Sequence, residues 1–194
     1  MKTALITTTI NVPTVLALYR KLGPDVMMFV AGDNKTPPEV REFCDSMEFV
    51  HFDDVERQKE LDYACSESLG WNNDSRRNIA LLEAIKYGAD IIVSIDDDMI
   101  PLGQDFFERF EMLLSEPYSG FKVGKPDRWL NTGFQTMPYF PQRGLPHEGS
   151  FTGYGFALDV QIGAMQGIIL GTPDTDGHSQ DGRGVHSATD ILCN

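Results

Sequence analysis

Residues 90–98 have the sequence DIIVSIDDD, an apolar run that ends in three consecutive aspartates. The run contains four β-branched residues, and a short stretch of this kind is typical of a strand buried on both faces of a parallel sheet. In open α/β sheets, ligands bind beyond the carboxyl ends of the strands. The segment therefore predicts a buried strand over 90–95 that carries Asp96, Asp97 and Asp98 to the binding edge of the sheet.

Apolar segments of strand length alternate with amphipathic segments of helix length through the first part of the chain. Helical spacing of apolar residues and glycines at the ends set the bounds of the helices. The predicted strands cover 2–8, 25–31, 48–52 and 90–95, and the predicted helices cover 12–22, 37–46, 55–69, 76–87 and 106–113. This order, β-α-β-α-β-α-α-β-α, predicts an α/β fold with a mostly parallel, Rossmann-like sheet flanked by helices.

The C-terminal part has a different character. Residues 117–155 are rich in glycine, proline and aromatic residues without clean periodicity, which predicts irregular loops and short antiparallel strands over one edge of the sheet. An apolar run returns at 160–170, and residues 171–194 are polar and rich in glycine. Because neither an internal repeat nor a low-complexity linker is found, we predict a single domain over residues 1–194.

The composition indicates a folded, acidic protein. Of the 194 residues, 41% are hydrophobic and 23% are charged, as in ordinary globular domains. The formal net charge is −13, so nucleic acid is not expected as a partner. The three cysteines have no paired spacing and the chain has no signal-peptide core. It also has no run of about 18 apolar residues, so we expect a cytoplasmic protein without a membrane span. None of the four histidines lies in a metal-binding motif, and none is assigned a role.

The aspartate triplet predicts a site for a divalent metal. Three adjacent carboxylates repel one another and would repel a diphosphate more strongly. Mg²⁺ or Mn²⁺ takes oxygen ligands and can bridge carboxylate to phosphate, which removes both difficulties. Alternation along the strand would place Asp96 and Asp98 on one side and Asp97 on the other. We therefore predict Asp98 as a metal ligand and Asp96 as a ligand of the metal or of a ribose; the alternative is a solvated acidic turn.

Two arginines stand at the start of the predicted helix 76–87. Arg76 and Arg77 could reach the phosphates of a ligand at the sheet edge, aided by the helix N-terminus. The alternative is a solvated basic turn on a very acidic surface. Beside the aspartate cluster, a functional role is favoured for Arg77.

Polar residues also follow the first two predicted strands. Thr7, Thr8 and Thr9 close the first strand, where hydroxyl and backbone groups could hold a base or ribose, although threonine is also a good strand former. Asp33 closes the second strand and could accept a hydrogen bond from a base N–H, with turn formation as the alternative. These four residues are candidate contacts to a nucleotide.

Several short motifs together resemble one known family. They are ALITTTI at 4–10, GDNKTP at 32–37, RN at 77–78, DDDMIP at 96–101, RGLP at 143–146 and GIILGTPDTD at 167–176. In this order they resemble the reversibly glycosylated polypeptide family, which includes the UDP-arabinopyranose mutases and has a GT-A fold. The resemblance covers roughly residues 2 to 177.

The resemblance implies a UDP-sugar bound through a divalent metal, with the aspartate triplet at the centre of the site. In the family, the arginine at the position of Arg77 lies beside the sugar and can itself become glycosylated, so catalytic roles are assigned to Arg77 and Asp98. The resemblance also adds Asp97 and Arg143 to the expected contacts with the nucleotide sugar.

The leading functional prediction is a metal-dependent glycosyltransferase that moves a sugar from a UDP-sugar to an unknown acceptor. Residues 1–116 would form the nucleotide-binding part, and residues 117–194 the side that faces sugar and acceptor. A UDP-sugar mutase needs the same donor site and is an alternative. Family members continue with a further segment, so a shortened, catalytically inactive nucleotide-sugar-binding protein is a second alternative. A homo-oligomer is left open, and no catalytic base is identified.

Overall fold

The α/β fold predicted from the sequence is confirmed by a computed structural model, which describes residues 1–123 and 154–163. The chain divides into two compact units, Met1–Ser115 and Glu116–Asn194. The first unit contains a parallel sheet and its helices. The predictions for 124–153 and 164–194 lie outside the described residues.

A four-stranded parallel sheet forms the centre of the first unit. Its strands, in the spatial order β3-β2-β1-β4, are β1 (Thr3–Thr8), β2 (Met27–Ala31), β3 (Val50–Asp53) and β4 (Ile91–Ser94). The chain therefore adds β2 and β3 on one side of β1 and then returns to add β4 on the other side. Such a reversal of strand order opens a crevice at the carboxyl ends of the two strands concerned, here β1 and β4.

Helices cover both faces of this sheet. They are α1 (Leu16–Leu22), α2 (Glu39–Asp45), α3 (Val55–Glu60), α4 (Ser66–Leu69), α5 (Arg77–Tyr87) and α6 (Phe106–Ser115), with a 3₁₀ turn at Asp74–Arg76. The prediction of one continuous helix over 55–69 is wrong. Asp62 has a φ of 48°, a left-handed conformation, and a helix cannot continue through such a residue.

The core consists of two apolar clusters on opposite faces of the sheet. Leu5 of β1 packs in a cluster with residues of α1, α2 and α6, whereas Ala4 and Ile6 pack in a cluster with residues of α5. All three side chains are at most 3% exposed. Burial on both faces explains why β1 has an apolar rather than an alternating sequence.

The described part of the second unit is a pair of antiparallel strands. Strand β5 (Tyr118–Val123) pairs with β6 (Tyr154–Val160), and the register shifts between Tyr118 and Gly120. Within residues 1–123 and 154–163, no helix combines the length and the apolar character needed to cross a membrane.

Candidate functional site

The carboxyl ends of β1 and β4 meet at the crevice where the strand order reverses. Beyond the last residue of β4, the backbone N–H of Ile95 still bonds to the carbonyl of Ile6 at 3.1 Å. The chain then turns, with the N–H of Met99 bonded to the carbonyl of Asp96 at 3.2 Å. The aspartate triplet therefore begins at the position that the sequence predicted, next to the end of the central strand.

Asp97 contacts the end of β1 through a side chain. The hydroxyl of Thr9 hydrogen-bonds to Asp97 Oδ2 and accepts a bond from the backbone N–H of Asn11 at 3.0 Å. Thr9 is only 2% exposed. The polar end of β1 thus holds one carboxylate of the triplet in place.

Asp96 contacts the beginning of α5. Arg77 Nη2 forms an ion pair with Asp96 Oδ1, and the two side chains are 28% and 46% exposed. Arg77 Nε is buried and has no hydrogen-bond partner among residues 1–123 and 154–163. The arginine also lines a cavity of about 430 Å³ together with Ser75, Asn78 and Ser94. The guanidinium therefore retains unused donor capacity next to the aspartate triplet.

Asp98 is the third carboxylate of the triplet. It is exposed and lines a second cavity, of about 550 Å³, together with Asp97, Asn11 and Thr14. The expected alternation, with Asp96 and Asp98 on one side and Asp97 on the other, requires a strand that continues through all three residues. Strand β4 ends at Ser94, so the aspartates follow the geometry of the turn and not that of a strand.

Thr7 and Thr8 use their hydroxyl groups within the sheet. Thr7 is fully buried and its hydroxyl donates to the carbonyl of Thr8 at 3.3 Å. The hydroxyl of Thr8 donates to the carbonyl of Ala31 at 2.8 Å. Of the three threonines, Thr9 is the residue that the structure brings to the aspartate triplet.

Asp33 organises the loop that precedes α5. Its side chain is buried, at 4% exposure. The carboxylate accepts bonds from the backbone N–H groups of Asn34 at 2.6 Å, Asn72 at 2.8 Å and Asn73 at 3.2 Å. These contacts favour the turn-forming interpretation, because three donors already occupy the carboxylate that was expected to face a base.

Arg76 is fully buried, unlike its neighbour in the chain. All five N–H donors are used, by Gln58 Oε1 twice, by the carbonyls of Ser66 and Gly70, and by the hydroxyl of Ser66. The guanidinium also stacks 3.9 Å from the ring centroid of Trp71. Burial lowers the pKa of Arg76. These contacts favour a structural role, and Arg143, the other predicted arginine, lies outside the described residues.

A second polar cluster was not predicted. A ring nitrogen of His51 and one carboxylate oxygen each of Asp53 and Glu83 all lie within 4.8 Å of one another. The spacing of His51 and Asp53 on one strand placed them on the same face, but nothing in the sequence indicated that Glu83 of α5 would join them. The hydrogen bond to Asp53 raises the pKa of His51.

Comparison with known proteins does not identify the chain. The scan against protein-family models gives no match, and the search of curated proteins gives none.

Proposed function

We propose that this chain is a metal-dependent glycosyltransferase of GT-A type that uses a nucleotide sugar, specifically a UDP-sugar. One observation carries the proposal. At the crevice between β1 and β4, Asp96 is paired with Arg77 at the start of α5, and Asp97 is bonded to Thr9 at the end of β1. Carboxylates and an arginine at this edge of an open sheet suit a ligand that contains phosphate and is bound through a cation.

The donor set fits Mg²⁺ or Mn²⁺. Asp96, Asp97 and Asp98 offer only oxygen ligands, which these hard cations prefer. When bound, the cation would neutralise the diphosphate and stabilise the negative charge that develops on it as the sugar leaves. The protein itself carries a formal net charge of −13, so an anionic donor needs local positive charge of this kind.

Arg77 supplies the second positive charge. One of its nitrogens pairs with Asp96, while its buried Nε has no partner in the part of the chain that the structure describes. A guanidinium has five donors in a planar arrangement that matches phosphate oxygens. Arg77 would therefore bind and orient the diphosphate, and the N-terminus of the 11-residue helix α5 adds a favourable dipole.

Thr9 has a positioning role in this proposal. Its hydroxyl is buried and holds Asp97 in a fixed orientation at the end of the central strand. A fixed carboxylate loses less conformational entropy when it binds a cation. A UDP-sugar mutase would use the same donor site, and the product distinguishes the two activities: a new glycoside for a transferase, an interconverted UDP-sugar for a mutase.

The test is calorimetric binding of UDP in the presence of Mn²⁺ and again after EDTA, with ADP, GDP and CDP as comparison ligands. We expect UDP to bind with micromolar affinity and binding to disappear with EDTA. Asp98→Asn should abolish this binding without unfolding the protein, because Asp98 is exposed.

Asp105→Asn is the matched control. The side chain of Asp105 is 46% exposed and pairs with Arg109 outside the crevice, and this variant should bind UDP as the parent does. The metal assignment is wrong if Asp98→Asn binds UDP and Mn²⁺ with unchanged affinity. The nucleotide site itself is wrong if the parent binds none of the four nucleotides.

A further inference from the structure

We propose that His51, Asp53 and Glu83 form a second metal site, which takes a divalent transition ion such as Zn²⁺. The site does not depend on the proposed glycosyltransferase activity. It lies where β3, the edge strand of the sheet, approaches α5. It has no residue in common with the aspartate triplet.

The separations of the three side chains suit one ion. His51 Nε2 lies 2.9 Å from Asp53 Oδ1 and 4.0 Å from Glu83 Oε2. Ligands in a tetrahedral zinc site, at about 2.1 Å from the ion, lie about 3.4 Å from one another. Small adjustments of the side chains would therefore bring all three groups to bonding distance.

A buried oxygen without a partner indicates that the cluster is incomplete as it stands. Asp53 is fully buried, and its Oδ2 accepts no hydrogen bond from any of the described residues. A buried carboxylate oxygen is normally satisfied, because burial without a partner is unfavourable. Because Asp53 Oδ1 is the oxygen nearest His51, a cation held by the three side chains would satisfy Oδ2 by binding both oxygens of this carboxylate.

Surrounding groups fix the side chain of Glu83 and the backbone of Asp53. The hydroxyl of Tyr63 donates to Glu83 Oε1, the oxygen other than the one nearest His51. The carbonyl of Asp53 accepts a bond from Gln58 Nε2 at 2.7 Å. Outer hydrogen bonds of this kind orient the ligands in known metal sites.

Two cations border the cluster and act against metal binding. Arg57 Nε lies 3.8 Å from Asp53 Oδ1, and Lys86 Nζ lies 3.8 Å from Glu83 Oε1. Their side chains are 45% and 68% exposed, and Arg57 also pairs with Glu60 in solvent. Both can move into water when the ion takes their place beside the carboxylates. The proton of the hydrogen bond between His51 Nε2 and Asp53 Oδ1 is then released to solvent, so that two carboxylates and a neutral imidazole bind the ion.

The ligand set selects the kind of metal. An imidazole nitrogen with two carboxylates suits Zn²⁺, whereas Mg²⁺ prefers oxygen ligands and keeps several waters.

The test is a titration of the chain with ZnCl₂, followed by calorimetry. The chain is first freed of metal with EDTA and dialysed, and excess Mg²⁺ is present during the titration. We expect one equivalent of Zn²⁺ to bind and the thermal unfolding temperature to rise, since an ion that binds the native state stabilises it.

The variant His51→Gln tests the assignment, because His51 is 40% exposed and its replacement leaves the core intact. Its affinity for Zn²⁺ should fall at least about tenfold, with no rise of the unfolding temperature on addition of Zn²⁺. Glu83→Gln should behave in the same way, and circular dichroism checks that both variants are folded.

Glu56→Gln is the matched control, because Glu56 is exposed and pairs only with Lys59 among the ion pairs of the described residues. It should bind Zn²⁺ as the parent does. The proposal is overturned if the parent binds no Zn²⁺, or if Zn²⁺ binding is the same in His51→Gln as in the parent. The second result would place the ion elsewhere in the chain.

Discussion

Arg76 and Arg77 are adjacent in the chain but lie in different environments. Arg76 ends the 3₁₀ turn and is fully buried, whereas Arg77 begins α5 and pairs with Asp96. The rotation of α5 about its own axis, relative to the sheet, determines which of the two arginines points inward. The buried residues Ile79 and Ala80, which pack against the sheet, fix that rotation. The pair of basic residues was visible in the sequence, but the difference between them depends on this packing.

Replacing each arginine in turn should separate stability from binding. Arg76→Gln leaves buried acceptors of Gln58 and Ser66 without donors, so the free energy of unfolding should fall by about 2–3 kcal/mol. Arg77→Gln should change it by less than about 1 kcal/mol, since its ion pair is partly exposed. Urea denaturation measures both.

The two substitutions should affect the binding of UDP and Mn²⁺ in the opposite order, with the larger effect at Arg77. Arg77→Gln should weaken it at least about tenfold, the effect of losing one charge-assisted hydrogen bond. Folded Arg76→Gln should bind close to parental affinity. If Arg77→Gln binds UDP normally, the arginine does not contact the diphosphate.

At the level of elements, the loop before α5 depends on one buried carboxylate. Asp33 follows β2 and accepts bonds from the N–H groups of Asn72 and Asn73, about forty residues later in the chain. The loop that positions Arg77 is therefore attached to the sheet. Local sequence patterns predicted a turn or a base contact for Asp33, and could not reveal a partner so distant in sequence.

Asp33→Ala tests which interpretation is correct. Without the carboxylate, the amides of Asn72 and Asn73 should exchange hydrogen faster, and the free energy of unfolding should fall by about 2 kcal/mol. Native-state hydrogen exchange measures the first effect and urea denaturation the second. Unchanged protection together with a loss of UDP affinity would instead favour a direct contact between Asp33 and the base.

The strands were more predictable than the site. The apolar run of β1 is buried on both faces, and β4 is buried at Ile91 and Val93 and partly buried at Ile92, so apolar runs of strand length alone indicated a parallel sheet. The break at Asp62 within the predicted helix 55–69 depends on a single left-handed residue, which composition does not reveal. The cluster of His51 and Glu83 forms only when α5 packs beside β3, so no local pattern could indicate it.

For the whole molecule, the folded first unit determines which thiols can react. Cys44 is fully buried in the core cluster that includes Leu5 and Phe107, and burial raises its pKa to about 12. Cys65 is exposed. Because the thiolate is the reactive form, Cys44 should react with a thiol reagent at neutral pH only when the unit unfolds.

This difference gives a measurement that connects stability with ligand binding. In the variant Cys193→Ser, one thiol should react rapidly with an aromatic disulfide. This fast kinetic phase should be absent when Cys65→Ser is introduced as a second substitution. The slow phase should belong to Cys44. Addition of UDP and Mn²⁺ should slow it in proportion to occupancy, because a ligand that binds only the native state lowers the population of the open state. Two rapid thiols would contradict the burial of Cys44, and a slow phase insensitive to UDP and Mn²⁺ would contradict the nucleotide site.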